Sequence, residues 1–149
     1  MSNDNLNILG QRTALPERPE DAEIECIVWS GSKVCCRFST TEFTSRCPIT
    51  GAPDFARLII DYVPCAKVIE SKSLKLFLGS FRNVGVFHER VVDAIGTRLF
   101  EEAEPLWMRI GAFFNPRGGI PIDVFWQSGE PPVYVHIPFL DYQPYGMMR

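Results

Sequence analysis

A single block of helical periodicity interrupts an otherwise β-prone chain, and this change of period most constrains the fold. A first amphipathic helix is predicted over residues 71–82, because apolar side chains recur at helical spacing at Leu74, Phe77, Leu78 and Phe81. A second helix is predicted over about residues 88–102, and Pro105 ends it. The two helices follow one another directly, so any strands must lie before and after them.

Short β-prone runs do lie on both sides of this block, at residues 22–30, 33–40, 55–63, 106–115 and 120–127. Ser30-Gly31-Ser32 predicts a hairpin turn between the first two runs. Helices in one block between antiparallel strands indicate an α+β fold, with both helices on one face of the sheet. A small sheet of this kind has open edges, which predicts assembly into a ring or barrel.

The domain organisation is predicted to be simple, because 149 residues suit one domain. Residues 1–21 are polar, contain Pro16 and Pro19 and lack periodicity, so they are interpreted as a mobile N-terminal arm. Residues 22–149 then form the single domain, and the proline-rich tail from Ser128 is expected to lie over its surface.

Composition and charge exclude several classes of protein. No apolar run is long enough for a membrane span, and the start of the chain does not resemble a secretory signal. A net charge of −3 and a pI near 5.4 disfavour nucleic-acid binding; the densest basic cluster, Lys72, Lys75 and Arg82, suits one phosphorylated small molecule. Five cysteines without disulfide-framework spacing indicate reduced thiols and a cytoplasmic protein.

The strongest chemical signal is the segment Ser45–Phe55, which holds Cys47 in a Pro/Gly-rich turn and Asp54 seven positions later. Turns are exposed, so a thiol there is available for reaction, although most lone cysteines are small buried hydrophobic residues. Asp54 taken alone is equally consistent with ordinary turn chemistry. Together they predict a nucleophile with a nearby proton donor.

Two helix starts carry further candidates. Glu89 follows His88 at the start of the second helix, where a negative charge is favourable. Alternatively, with Phe87 beside it for stacking, the Glu89 carboxylate could bind the N–H edge of a planar heterocycle. At the first helix, Ser71 is a plausible N-cap with Glu70 just outside it. Lys72 and Lys75 are either solvated or phosphate-binding. No Cys-x-x-Cys occurs and neither histidine has a cysteine nearby, so no metal site is predicted.

These motifs, taken in order, closely resemble the QueF family of NADPH-dependent 7-cyano-7-deazaguanine reductases. The matching segments are Cys-Pro-x-Thr-Gly-x-Pro-Asp-Phe at 47–55, Glu-Ser-Lys-Ser-Leu-Lys-Leu-Phe at 70–77, Ser-Phe-Arg-Asn at 80–83, Phe-His-Glu at 87–89 and Pro-Arg-Gly-Gly at 116–119. The resemblance covers about residues 40–125 and fits the short, single-module branch. It implies the tunnelling fold (T-fold), assembled into rings that are commonly decamers with active sites between subunits.

The resemblance also implies a reaction and its residues. Cys47 would add to the nitrile of free 7-cyano-7-deazaguanine (preQ0) to give a thioimide, and Asp54 would protonate the nitrogen, with His88 beside the reacting group. Two NADPH molecules would complete the reduction to the aminomethyl product (preQ1), an intermediate of queuosine in tRNA. The base would be bound by Phe87, His88 and Glu89 and by Ile69, Glu70 and Ser71. The phosphates of NADPH would be bound by Lys72, Lys75 and Arg117.

Two alternatives remain open at this point. One is a pterin or purine cyclohydrolase or aldolase on the same fold, although the Cys-His zinc arrangement of GTP cyclohydrolase I is missing here. The other is a non-catalytic ring that binds a purine-like ligand or a partner protein, in which Cys47 would be dispensable.

Overall fold

The computed structural model describes residues 6–140, in which two helices lie between β-strands. The elements in chain order are β1 (Cys26–Val28), β2 (Cys36–Arg46), β3 (Pro53–Val63), β4 (Lys67–Ile69), α1 (Ser71–Gly79), α2 (His88–Ala103), β5 (Trp107–Arg117) and β6 (Ile120–Gln127). Short 3-10 turns cover Pro19–Asp21 and Ser80–Asn83. The predicted α+β class is confirmed.

A four-stranded antiparallel sheet in the order β2-β3-β5-β6 forms the body of the domain. β3 pairs with β2 on one side and with β5 on the other, so its alternate residues build the core. The apolar face of α2, formed by Val91, Val92, Ile95 and Leu99, is fully buried in the same core. Within residues 6–140, no helix is long and apolar enough to cross a membrane.

The predicted hairpin around Ser30-Gly31-Ser32 is wrong. β1 is only three residues long and pairs with β4, not with β2, in a separate two-stranded sheet. The next strand starts later than predicted, at Cys36, and runs on to Arg46. This extension matters for function, because β2 carries the chain directly into the turn that holds Cys47.

The first helix is also shorter than predicted, and its cap differs. α1 ends at Gly79 and continues as a 3-10 turn to Asn83. Its N-cap is Glu70, not Ser71: the Glu70 carboxylate accepts hydrogen bonds from the main-chain N–H groups of Lys72 and Ser73, both at 2.8 Å. The two carboxylate oxygens each satisfy one of the free N–H groups at the helix start.

Both ends of the described chain lie against the domain. Glu25 Oε1 accepts hydrogen bonds from the main-chain N–H groups of Asn7 and Ile8. The Lys72 ammonium donates to Ile8 O, so the predicted arm also contacts the start of α1. At the other end, Arg37 and Arg109 donate hydrogen bonds to the main-chain carbonyl of Pro138. Residues 1–5 of the predicted arm and 141–149 of the predicted domain lie outside the described residues.

Candidate active site

Cys47 lies in a tight turn between β2 and β3. Its main-chain N–H donates to Ala52 O at 2.9 Å, and Gly51 N–H donates to its carbonyl at 3.0 Å. Gly51 has φ +69°, a conformation that favours glycine. The turn is therefore fixed by its own hydrogen bonds, and the Cys47 side chain remains partly exposed at its surface.

The turn makes Cys47 acidic. Hydrogen bonds lower the pKa of its thiol to about 6, first from the Thr50 hydroxyl, then from the main-chain N–H groups of Thr50 and Ile49, and then from the Arg117 guanidinium. Each of these groups stabilises the thiolate over the thiol. A thiolate is the nucleophilic form of cysteine, so the surroundings of Cys47 favour its nucleophilic form at neutral pH.

Asp54 is the second residue of β3 and is buried, with its side chain only 2% exposed. Arg117 Nη1 lies 3.0 Å from Oδ1 and His88 Nε2 lies 3.4 Å from Oδ2. Among the described residues, no hydrogen-bond donor is properly aligned with Oδ1. A buried carboxyl group with one unsatisfied oxygen is suited to exchange a proton with an incoming ligand.

His88 begins α2 and is held by ring stacking. Its imidazole lies 3.9 Å from the ring centroid of Phe114, at 17° between the planes, and the residue is 8% exposed. Its neighbours Phe87 and Glu89 are exposed. His88 therefore forms part of the buried inner wall of the site, whereas Phe87 and Glu89 are accessible to a ligand.

A short parallel bridge brings the start of α2 to the nucleophile turn. Arg46 N–H donates to Val84 O at 2.9 Å, and Val86 N–H donates to Arg46 O at 3.0 Å. At Gly85 a Cβ atom would lie 3.3 Å from the main chain of Pro48, so the two segments are in close contact. The bridge brings the segment that leads into Phe87, His88 and Glu89 to the turn that holds Cys47.

The segment Ile69-Glu70-Ser71 lies elsewhere. Ile69 N–H donates to the Tyr62 hydroxyl at 3.0 Å, near the far end of β3. Asp54 and Tyr62 are eight residues apart on that strand, a separation of roughly 26 Å at the usual rise. Within one chain, the predicted base-binding residues thus form two groups at opposite ends of the sheet.

The three predicted phosphate ligands have different surroundings. The Lys72 ammonium donates to the main-chain carbonyls of Ile8, at 2.5 Å, and of Gln11. Lys75 is exposed and lines a cavity of about 490 Å³ between β2 and α1, which also contains Ser71 in its wall. Arg117 lies at the other end of the sheet, with Cys47 and Asp54.

Sequence reasoning gave no separate role to Thr50. Its hydroxyl is the first cause of the low pKa of Cys47, and it accepts a hydrogen bond from Arg117 Nη2 at 3.4 Å. The spacing Cys-x-x-Thr within one turn is the signal that places the two side chains together. In the part of the chain that is described, no cluster of three or more His, Cys, Asp or Glu residues is arranged to hold a metal ion.

Comparisons with known proteins agree on one family. The family model described as QueF-like protein matches residues 53–133. A protein of Maricaulis maris named NADPH-dependent 7-cyano-7-deazaguanine reductase is 54% identical over 143 residues, which cover 95% of this chain and 94% of the relative. A protein of Brucella anthropi with the same name is 56% identical over 135 residues, covering 89% of this chain and 87% of the relative.

A solved structure supports the fold. The apo form of an archaeosine synthase described as QueF-Like superimposes with a TM-score of 0.63 at 22% identity, covering 68% of this chain and all of the other. At that identity the likeness establishes the shared architecture alone, in agreement with the predicted T-fold. With the family model and the close relatives together, the chain belongs to the QueF-like family.

Proposed function

We propose that this protein is an NADPH-dependent reductase that converts the nitrile of 7-cyano-7-deazaguanine to the aminomethyl group of 7-aminomethyl-7-deazaguanine, in queuosine biosynthesis. The observation that carries the proposal is the pairing of an acidic, accessible Cys47 thiol with the buried Asp54 carboxyl at one end of the sheet. Relatives more than half identical over nearly the whole chain bear the name of this activity.

The first chemical step is an addition to the nitrile. The Cys47 thiolate forms a bond to the nitrile carbon, one π pair of the C≡N bond moves to nitrogen, and Asp54 supplies the proton. The product is a thioimide, and no electrons have yet entered from outside. This use of a nucleophile and an acid divides a difficult reduction into easier steps.

The base is bound on the accessible side of this pair. The Glu89 carboxylate is exposed in the first turn of α2 and accepts the two N–H bonds of the deazaguanine edge. Phe87 is 57% exposed and offers a ring face for stacking. His88, buried behind them and 3.4 Å from Asp54, lies beside the reacting group.

NADPH, when bound, supplies the hydride for each of two successive reductions, because a nitrile and an amine differ by four electrons. The basic groups fit a phosphate-bearing ligand to different degrees. Lys75 is exposed on a cavity wall and is suited to a phosphate, whereas Lys72 is held by main-chain carbonyls. Lys75 and Lys72 are proposed as the cofactor-binding residues at this end of the sheet.

Assembly completes the site in this proposal. Ile69, Glu70 and Ser71 contact the base from a second copy of the chain, because roughly 26 Å of β3 separates them from Asp54 within one copy. The outer strands of the four-stranded sheet, β2 and β6, are long enough to pair with neighbouring copies in a ring, for which a decamer is proposed. The acidic chain acts on the free base in the cytoplasm, without binding nucleic acid.

The decisive experiment measures NADPH oxidation and aminomethyl product together on adding 7-cyano-7-deazaguanine. The proposal requires two NADPH consumed for each product, and a mass adduct on Cys47 when NADPH is omitted. Cys47→Ala abolishes both, whereas Cys65→Ala, an exposed cysteine outside the site, retains them. Absence of both oxidation and adduct in the wild-type protein refutes the proposal.

Mixed rings test whether the site is shared between copies. Cys47→Ala and Glu70→Gln chains are each expected to be inactive alone, and Gln keeps one of the two oxygens that cap α1. If the two residues come from different copies, rings assembled from equal amounts of both variants regain activity at about a quarter of the sites. Each site then needs an unchanged Cys47 from one copy and an unchanged Glu70 from the next, and each of these is present half of the time. If mixed rings stay inactive, both residues belong to the same chain's site.

A further inference from the structure

We propose that Arg117 is a positioning residue of the reaction: its guanidinium holds the nucleophile turn and the Asp54 carboxyl together, instead of binding a cofactor phosphate. Nη1 lies 3.0 Å from Asp54 Oδ1, and Nη2 donates to Thr50 Oγ1 at 3.4 Å. One planar group thus spans the acid and the turn that holds the nucleophile. The inference rests on the proposed function and extends it to residues that were without such a role.

The backbone places Arg117 there by an irregularity in β5. The pairing of β5 with β6 shifts register between Phe114 and Arg117, and Gly118 and Gly119 follow with φ +57° and +80°. A bulge of this kind re-aims the side chain that follows it. Phe114 itself pairs with Ala56 of β3, two residues after Asp54, so the end of β5 lies beside the acid.

The same guanidinium acts on the Cys47 thiol: their interaction raises the pKa of Arg117 and helps to lower that of Cys47. Arginine suits this position because its N–H groups form a rigid fork that can meet several acceptors at fixed angles. A lysine ammonium is a single point charge on a flexible stem. It can approach one of these acceptors but does not fix their relative positions.

The arrangement matches the charges of the proposed step. The proposed addition starts from an anionic thiolate and draws its proton from the Asp54 carboxyl group. After addition, sulfur is bonded to carbon, the proton is on nitrogen, and Asp54 is the anion. One cation therefore faces one anion throughout, which stabilises the carboxylate as it forms without requiring the site to reorganise. Thr50 takes part by binding both the thiolate and the guanidinium.

The first measurement is the pH dependence of Cys47 alkylation by iodoacetamide, followed at that residue by peptide mass spectrometry. In the wild-type protein the rate rises with a midpoint near pH 6. In Thr50→Val the midpoint moves up toward the ordinary cysteine value of about 8.5, and complete loss of the shift would lower the rate at pH 7 by about 30-fold. In Arg117→Ala the midpoint moves in the same direction by a smaller amount, because the Thr50 and Ile49 donors remain. Thr50→Ser keeps the hydroxyl and restores the low midpoint.

Arg46→Ala is the matched control, because Arg46 directly precedes Cys47 but its guanidinium binds Asn83 at 3.2 Å. Its alkylation midpoint stays at the wild-type value. Should Arg117→Ala fail to fold, Arg117→Lys and Thr50→Val provide the same test with smaller changes. None of these measurements needs nitrile or NADPH, so they remain decisive even if the proposed function fails.

The second measurement separates positioning from cofactor binding. Arg117→Lys and Arg117→Ala are expected to lower kcat for nitrile reduction at least tenfold, with the KM for NADPH changed less than about threefold. If Arg117 instead binds a cofactor phosphate, the same variants show a much higher KM for NADPH and an unchanged midpoint of Cys47 alkylation. That pattern overturns the inference, whereas loss of kcat with a shifted midpoint supports it.

Discussion

The proposed chemistry does not use the buried carboxylate of Asp61. This residue allows a quantitative test of how much a buried ion cluster stabilises the domain. Its side chain is completely buried and accepts hydrogen bonds from Arg37 Nε at 2.6 Å, Arg37 Nη2 at 2.9 Å and Arg109 Nε at 2.9 Å. Both arginines also donate to the Pro138 carbonyl. Asp61→Asn removes the charge while keeping the shape of the side chain.

The expected loss in the free energy of unfolding depends on the contacts that the Arg37 and Arg109 guanidiniums lose and on those that they keep. Removing one partner of a buried ion pair costs about 3–5 kcal/mol. Arg37 and Arg109 are 26% and 18% exposed and keep the Pro138 carbonyl, which places the cost near the lower end, about 3 kcal/mol. For a domain of this size, that corresponds to a fall in Tm of about 6–12 °C.

Urea unfolding followed by circular dichroism, at one fixed protein concentration, measures the difference in the free energy of unfolding. Glu104→Gln is the matched control, since it makes the same carboxylate-to-amide change in a pair with Lys67 whose acid is 71% exposed. Exposed pairs contribute only about 0.2–1 kcal/mol. If Asp61→Asn costs no more than this control, the argument that the buried ion cluster stabilises the domain is refuted.

Four further predictions concern the site and the helix behind it. Asp54→Asn slows adduct formation on Cys47 by about 10²–10⁴-fold, the usual contribution of a positioned acid, and an unchanged rate contradicts its role as donor. Glu89→Gln raises the KM for the nitrile by about 10–100-fold, as expected for one lost charged hydrogen bond, and an unchanged KM in the same assay removes it from the base pocket. In the wild-type protein, adduct formation falls about tenfold per pH unit below the Cys47 pKa of about 6, because protonation removes the nucleophile; a flat profile between pH 4 and 6 is incompatible with a thiolate. Gly96→Ala destabilises the protein by about 1–3 kcal/mol in urea unfolding, despite better helix propensity, since its Cβ would lie 2.4 Å from Trp126 Cδ2; increased stability shows that the indole moves aside.

The helical block was predictable because its signals are local. The recurrence of Val92, Ile95 and Leu99 together with Pro105 predicted α2, which the structure places at His88–Ala103. β5 and β6 likewise follow from short apolar runs joined by Gly118 and Gly119, whose positive φ angles fit a tight connection. In each case the residues that determine the element are its own or its immediate neighbours.

The strand pairing of β1 was not predictable in this way. Ser30-Gly31-Ser32 has the composition of a hairpin turn, but β1 pairs with β4, where Cys26 lies opposite Ile69. β4 is only three residues long, too short for alternation to reveal it. A pairing between segments some 40 residues apart depends on the whole sheet, so local turn chemistry gave the wrong partner.

The candidate site divides along the same line between local and long-range information. Cys47, Thr50 and Asp54 are brought together by one turn, so their spacing in the sequence already predicted a nucleophile and an acid. Arg117 reaches them because β3 and β5 are neighbours and β5 bulges near its end. The spacing of residues along the sequence does not reveal either feature. The resemblance carried by Pro-Arg-Gly-Gly implied a phosphate as the ligand of Arg117. In the structure its guanidinium instead lies 3.0 Å from the Asp54 carboxyl group and acts on the Cys47 thiol. The position of Arg117 in the sheet thus argues for a role in the chemistry, and the pH dependence of Cys47 is where that role becomes measurable.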